Sequence, residues 1–175
     1  AHKTPVSLFE EAVTAANKAV FEESASHVEY EGMGTTVVAC TLEENTLYIA
    51  NIGDSRLYLI RDGIEQITDD HSLVEEMVKQ GNITESEARI HPQKNIITRA
   101  LGINEEVQAD FFEIDVEQGD VIMLCSDGLS NMIEDEDMEY IVKNSDTLQT
   151  AAESLVARAN ENGGNDNITV VLAEV

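Results

Sequence analysis

Three aspartates stand where the chain is stiff and then bends. Asp54 follows Gly53 at the end of the apolar run 47–52. Asp127 comes at the end of V-I-M-L-C-S-D-G-L, residues 121–129, and precedes Gly128. Asp166 follows Gly163-Gly164-Asn165 and leads into the closing run 168–175. A carboxylate at the exit of a buried strand is held by the backbone of the sheet, and a glycine beside it lets the chain turn sharply and a ligand approach the backbone. Ionised carboxylates a few ångströms apart repel by roughly 1 to 4 kcal/mol per pair, so corners that converge require a cation or a proton. Oxygen ligands without a histidine or cysteine partner suit Mg²⁺ or Mn²⁺ better than Zn²⁺. Asp, Gly and Asn are also ordinary turn residues, so each corner, Asp54 above all, also suits a capped turn or a bulge.

Other reactive side chains offer less. His2, His27, His71 and His91 lack the spacing of a metal site and read as surface residues. Cys40 and Cys125 sit in apolar strand-like runs and read as small buried hydrophobes in a reducing compartment, with a disulfide between them left open on count alone. Arg56 and Arg99 read as structural ion-pair partners. Thirty-five acidic residues against ten basic ones, a formal charge of −25, disfavour nucleic acid and anionic membranes as partners and tolerate divalent cations. No apolar run approaches the roughly 18 residues of a membrane span, and no secretory signal opens the residues given, so a cytoplasmic setting is expected.

The elements that must place these aspartates follow from periodicity. At 175 residues the chain reads as one domain. Thr4-Pro5 opens a helix that should end near Glu23. Its apolar stripe is Leu8, Phe9, Ala12, Val13, Ala16, Ala19 and Val20, with Asn17 largely off it. Strands follow at 35–42, 47–52, 56–61 and 64–67, joined by tight turns into an antiparallel meander, with Asp62-Gly63 as the strongest hairpin signal. Leu73 to Val78 and Thr84 to Arg89 form two short helices, the second opened by a Thr84/Glu87 capping box and stopped by His91-Pro92. Such a two-helix insertion between strands reads as a mobile flap over a site. Strands at 109–114 and 120–125 come next, then helices at 134–144 and after Asp146, and a last strand from Ile168. Val121 to Cys125 is apolar enough to be buried on both faces. Antiparallel pairs with helices grouped at each end indicate an α+β sandwich.

Six segments then carry a resemblance. G-M-G-T-T (32–36), I-G-D-S-R (52–56), D-H-S-L-V (70–74), T-R-A-L-G (98–102), C-S-D-G-L (125–129) and G-G-N-D-N-I-T (163–169) occur in this order. Together they resemble the metal-dependent protein phosphatases of type 2C, in their bacterial serine/threonine branch. The resemblance implies a four-layer α-β-β-α sandwich of two antiparallel sheets flanked by helix pairs, with the segment from about His71 to Ile97 as a flap that shapes substrate access. It implies hydrolysis of phosphoserine and phosphothreonine by a metal-activated water. Asp127 and Asp166 would bind a pair of Mn²⁺ or Mg²⁺ ions, and Asp54, with Asp127, would touch a third. Phosphorylated proteins, themselves products of a serine/threonine kinase, would be the partners of a protein that is a monomer when complete.

The family's catalytic domain opens upstream with a strand pair bearing a phosphate-binding arginine and an Asp-Gly that bridges both metals. By the resemblance, Ala1 falls inside the first long helix. The 175 residues therefore read as an N-terminally truncated, poorly active piece of one catalytic domain. Two alternatives stand beside the enzyme: a non-catalytic phosphatase-like regulatory or interaction module, and a purely structural acidic domain.

Overall fold

The computed structural model describes residues 3–175, so the surface expectation for His2 lies outside the described residues. In chain order the elements begin with α1 (Pro5–Ser26), β1 (Val37–Glu43), β2 (Thr46–Ile52), β3 (Arg56–Ile60) and β4 (Ile64–Gln66). Next come α2 (Leu73–Lys79), α3 (Glu85–Ile90), β5 (Asp110–Asp115) and β6 (Val121–Cys125). The last are α4 (Asp127–Ser130), α5 (Asp135–Lys143), α6 (Leu148–Glu161) and β7 (Val170–Glu174). This is an α+β protein with two antiparallel sheets, and the chain divides into two compact units.

The first unit comprises residues 1–54 and 70–115. Its sheet has the order β1-β2-β5, with Val37 opposite Ile52 and Asn51 opposite Asp110. Helix α1 starts as its sequence requires. The Thr4 hydroxyl accepts the Ser7 N–H, and Pro5 stands where a missing N–H costs nothing. Its buried face differs from the expected stripe. Val13 is buried, Phe9 and Val20 are half-buried, and Leu8, Ala12, Ala16 and Ala19 are exposed. Asn17, expected off the stripe, is 2% exposed. It lies one turn from Val13 on the same face. Its side chain donates to the Asn104 and Glu105 carbonyls at 3.0 Å each and accepts the Gly102 N–H at 2.7 Å. A polar residue can occupy a buried face when all its bonds are made there.

The second unit comprises residues 55–69 and 116–175, and its sheet has the order β4-β3-β6-β7. The expected meander is therefore cut in two: β1 and β2 pair in one sheet, β3 and β4 in the other, and the chain crosses between sheets at Gly53-Asp54-Ser55. The strands expected at 109–114 and 120–125 form as β5 and β6, in different sheets. Strand β6 is interior to its sheet, flanked by β3 and β7, as an apolar run should be. The Asp62-Gly63 hairpin forms, with Ile60 opposite Ile64, so the loop holds three residues. Helices α5 and α6 supply Met138, Val142, Ala151, Leu155 and Ala159 to a core with Tyr58, Met123, Cys125 and Leu129. The cap of α6 is Thr147, which accepts the Thr150 N–H, rather than Asp146; both are good caps, one residue apart.

Candidate metal centre

Strand β6 delivers Asp127 into the first turn of α4, at a Gly128 whose sequence context implies a sharp turn with room for a ligand. The missing Cβ serves a backbone approach instead. A Cβ on Gly128 would lie 2.1 Å from the Asn167 carbonyl oxygen and 3.4 Å from the Asp166 carbonyl carbon. The corner bearing Asp127 and the loop bearing Asp166 are thus in direct backbone contact. Ser126 stitches them further: its hydroxyl donates to the Asn167 carbonyl at 3.1 Å and accepts the Thr169 N–H at 3.0 Å. The Ser126 N–H also donates to the Thr169 carbonyl at 3.1 Å, extending the β6–β7 ladder by one residue. One Asp166 oxygen accepts the Asn167 N–H at 2.7 Å, which fixes its carboxylate against the loop. Asp127 is half-buried and Asp166 exposed.

Asp54 follows β2 in the first unit and is half-buried. Gly53 before it has φ +104°, a left-handed conformation that favours glycine, and a Cβ there would meet the Thr36 Cγ2 at 2.4 Å. The structure thus brings the Asp127 and Asp166 corners together within one unit and places Asp54 in the other. All three offer carboxylate oxygen, so the donor set fits a hard divalent ion in kind. Among the described residues, no group of three His, Cys, Asp or Glu side chains is gathered to hold a metal.

Several residues around these corners were not legible as such. His71 is 6% exposed, against the surface expectation, whereas His27 is exposed and His91 half-buried. The His71 ring binds the Gly53 N–H through Nδ1 and Asp110 through Nε2, both at 2.9 Å. Arg99 pairs with the other Asp110 oxygen at 2.7 Å, as its ion-pair reading requires. Burial would raise the Asp110 carboxyl, but hydrogen bonds from His71 and Arg99 outweigh it and hold the group below the usual carboxylate range. In the second unit Arg56 donates to the Tyr58 hydroxyl at 2.8 Å, and that hydroxyl reaches Asp135 at the start of α5 at 3.3 Å. Burial pushes the Tyr58 phenol well up, so it stays a donor. Cys40 and Cys125 are not joined in a disulfide, and burial raises the Cys40 thiol.

Residues 3–173 match a family model described as protein phosphatase 2C. A serine/threonine phosphatase, stp, of Listeria monocytogenes is 44% identical over 159 residues, which are 90% of this chain and 63% of that protein. The chain thus spans less than two thirds of that relative's length. The crystal structure of the serine/threonine phosphatase Stp1 of Staphylococcus aureus superposes with a TM-score of 0.94 at 35% identity, covering 98% of this chain and 68% of that one. The catalytic domain of the serine/threonine protein phosphatase PstP, in complex with two manganese ions, superposes with a TM-score of 0.89 at 35% identity, covering 99% and 73%.

Proposed function

The chain belongs to the protein phosphatase 2C family, and from that premise we propose that the protein is a Mn²⁺- or Mg²⁺-dependent protein serine/threonine phosphatase. The observation that supports this most is the backbone contact between the Asp127 and Asp166 corners. Two acidic corners locked at one edge of one sheet carry a repulsion that a divalent ion relieves. In this reading Asp127 and Asp166 hold the catalytic ions, and Asp54, with Asp127, serves a further one. Residues Asp127 and Asp166 would hold ions whose chemistry there would be to acidify a water at neutral pH and to neutralise phosphate oxygens.

The chain's own residues keep the ligands still while charge moves. Ser126 and Gly128 hold the Asp127 and Asp166 corners in register, and Asn167 orients the Asp166 carboxylate through its N–H. Such preorganisation avoids reorganisation cost at the moment of reaction. No nucleophilic side chain is required, which agrees with the buried Cys125 and half-buried Cys40.

The substrates we propose are phosphoserine and phosphothreonine proteins made by a serine/threonine kinase. The setting we propose is cytoplasmic, in keeping with Cys40 and Cys125 not being joined in a disulfide. Residues 1–175 act as part of one catalytic domain, with 71–97 as its flap, in a protein that is a monomer when complete. In this reading a polypeptide of these 175 residues alone turns over poorly, because the Asp-Gly that the family resemblance calls for to bridge both ions is not among them.

The test is Mn²⁺-dependent phosphate release from a phosphothreonine peptide by the full-length protein. Asp127→Asn and Asp166→Asn should each lower it about a hundredfold or more. Full turnover in either variant would refute the ligand assignment. No Mn²⁺-dependent turnover in the unsubstituted protein would favour the interaction module.

A further inference from the structure

His71 makes more connections than a core histidine needs. Its backbone N–H donates to the Gly53 carbonyl at 2.9 Å, and its ring Nδ1 accepts the Gly53 N–H at 2.9 Å. Both polar backbone groups of Gly53 are thereby engaged by one residue. Because Nδ1 accepts, the ring proton sits on Nε2 and is donated to Asp110 Oδ2 at 2.9 Å. Asp110 is held in turn by Arg99, whose guanidinium also donates to the Gln108 carbonyl at 3.0 Å. The His71 carbonyl accepts the Thr98 N–H at 2.8 Å. Beside it the Leu73 N–H donates to the Ile96 carbonyl at 2.9 Å, and Ser72 bridges to Ile97. Residues 71–73 and 96–98, the two ends of the 71–97 segment, are thus sewn to one another and, through His71, to Gly53.

The Gly53 carbonyl taken by His71 lies in the same planar peptide as the nitrogen and Cα of Asp54. Fixing that carbonyl fixes where the Asp54 side chain starts. On its other side Gly53 packs so closely on Thr36 that a Cβ would overlap Thr36 Cγ2 at 2.4 Å. The Asn51 side-chain amide also donates to the Gly53 carbonyl, at 3.4 Å, so the corner has three holds, of which the two-point one by His71 is the hold made by the 71–97 segment.

We propose that His71 is a positioning residue that carries the arrangement of the base of the 71–97 segment to the Asp54 carboxylate through its two-point hold on Gly53. The metal-binding half of this proposal rests on the reading of Asp54 as a ligand. The hold on Gly53 does not. A shift of the segment that moves residues 96–98 pulls on the His71 carbonyl, and the ring and N–H pass that movement to Gly53. Asp110 acts at one remove, by keeping the ring in the plane and tautomer that accept the Gly53 N–H.

The experiment uses the full-length protein and two measurements. One is backbone hydrogen exchange at Gly53 in the metal-free protein. The other is the Mn²⁺ half-saturation concentration by calorimetry. His71→Ala should speed Gly53 exchange by about tenfold or more and raise the half-saturation concentration about five- to twentyfold. Asp110→Ala should do the same to a lesser degree, and Asp110→Asn should restore much of the loss, since its Oδ1 can still accept from Nε2. Asp110→Ala and Asp110→Asn carry the test if His71→Ala does not fold. Asn17→Ala, a buried polar deletion elsewhere in the same unit, lowers stability, so Gly53 exchange is read in every variant relative to a buried β2 amide such as Ile49; on that scale, and in Mn²⁺ half-saturation, Asn17→Ala should match the unsubstituted protein. Relative Gly53 exchange unchanged in His71→Ala, or raised equally in Asn17→Ala, would overturn the proposal. If Asp54→Asn itself leaves the half-saturation concentration unchanged, the ligand reading fails and takes the metal-binding half with it. The exchange result still judges the hold on Gly53.

Discussion

Gly128→Ala tests the locking of the two acidic corners most directly. The new Cβ would stand 2.1 Å from the Asn167 carbonyl oxygen, a backbone atom with no rotamer to escape into. Restoring an ordinary contact requires a separation of about 1 Å between the start of α4 and the 166–167 backbone, shared between the two. Overpacking of this kind costs about 1 to 3 kcal/mol, or about 2 to 12 °C in melting temperature for a chain of this size. The Ser126 bonds to Asn167 and Thr169, at 3.1 and 3.0 Å, would lengthen with it. A misplacement of about 1 Å at a reacting centre can lower turnover about a hundredfold. The assay pairs a thermal melt with Mn²⁺-dependent phosphate release by the full-length protein, at Mn²⁺ high enough to saturate the unsubstituted enzyme. Gly63→Ala is the control, since Gly63 has no atom within 4 Å of a built Cβ and no positive φ. A Gly128→Ala protein that melts and turns over like Gly63→Ala would refute the claim that this contact sets the corners.

Three further outcomes are expected. Asn17→Ala leaves the Gly102 N–H and the Asn104 and Glu105 carbonyls without their partner and should lower stability by on the order of 3 kcal/mol in urea, against roughly nothing for Asn82→Ala on the exposed turn after α2. Asp120, bonded to Arg61 at 2.7 and 2.8 Å, and Asp110 both titrate below the ordinary carboxylate range. Their stabilisation is therefore complete above about pH 4 and lost as pH falls through the depressed values, so urea midpoints between pH 5 and pH 2 should fall less steeply in Asp120→Asn than in the unsubstituted protein. Amides of α2 and α3 should exchange faster than those of Val121 to Cys125; equal protection would show that the 73–90 helices are not a separable, looser element.

Local features of the chain were legible where the deciding forces were local. Thr4-Pro5, the Thr84/Glu87 box and Asp62-Gly63 act within a few residues, and all three do in the structure what their chemistry implies. The apolar run 121–125 ending in Ser-Asp-Gly marked the carboxylate corner for the same reason. Strand partners were not legible. Arg56 pairs with Cys125, and nothing in residues 47–67 says that β2 and β3 should part company instead of continuing a meander. His71 was hidden in the same way: its burial is set by Gly53, 18 positions away, and Asp110, 39 positions away. Asn17 looked like a surface residue because its partners begin 85 positions downstream. The Gly128 glycine was legible as a demand for space, but not as space for Asn167.

The alternation of the chain between its two units bears on how it is made. Residues 55–69 leave the ribosome long before residues 116–175, the rest of their unit. The β3–β4 hairpin is therefore synthesised about 55 residues ahead of the strand that flanks β3 on its other edge, and at roughly 5 to 20 residues per second it waits about 3 to 11 s for it. A two-stranded hairpin is marginal in water by itself, and during that interval Leu57 and Leu59, both buried in the finished sheet, have no β6 to pair against. The nascent chain thus shows an unpaired apolar edge at a fixed stage of translation, and a pause placed between residues 69 and 116 lengthens that exposure directly.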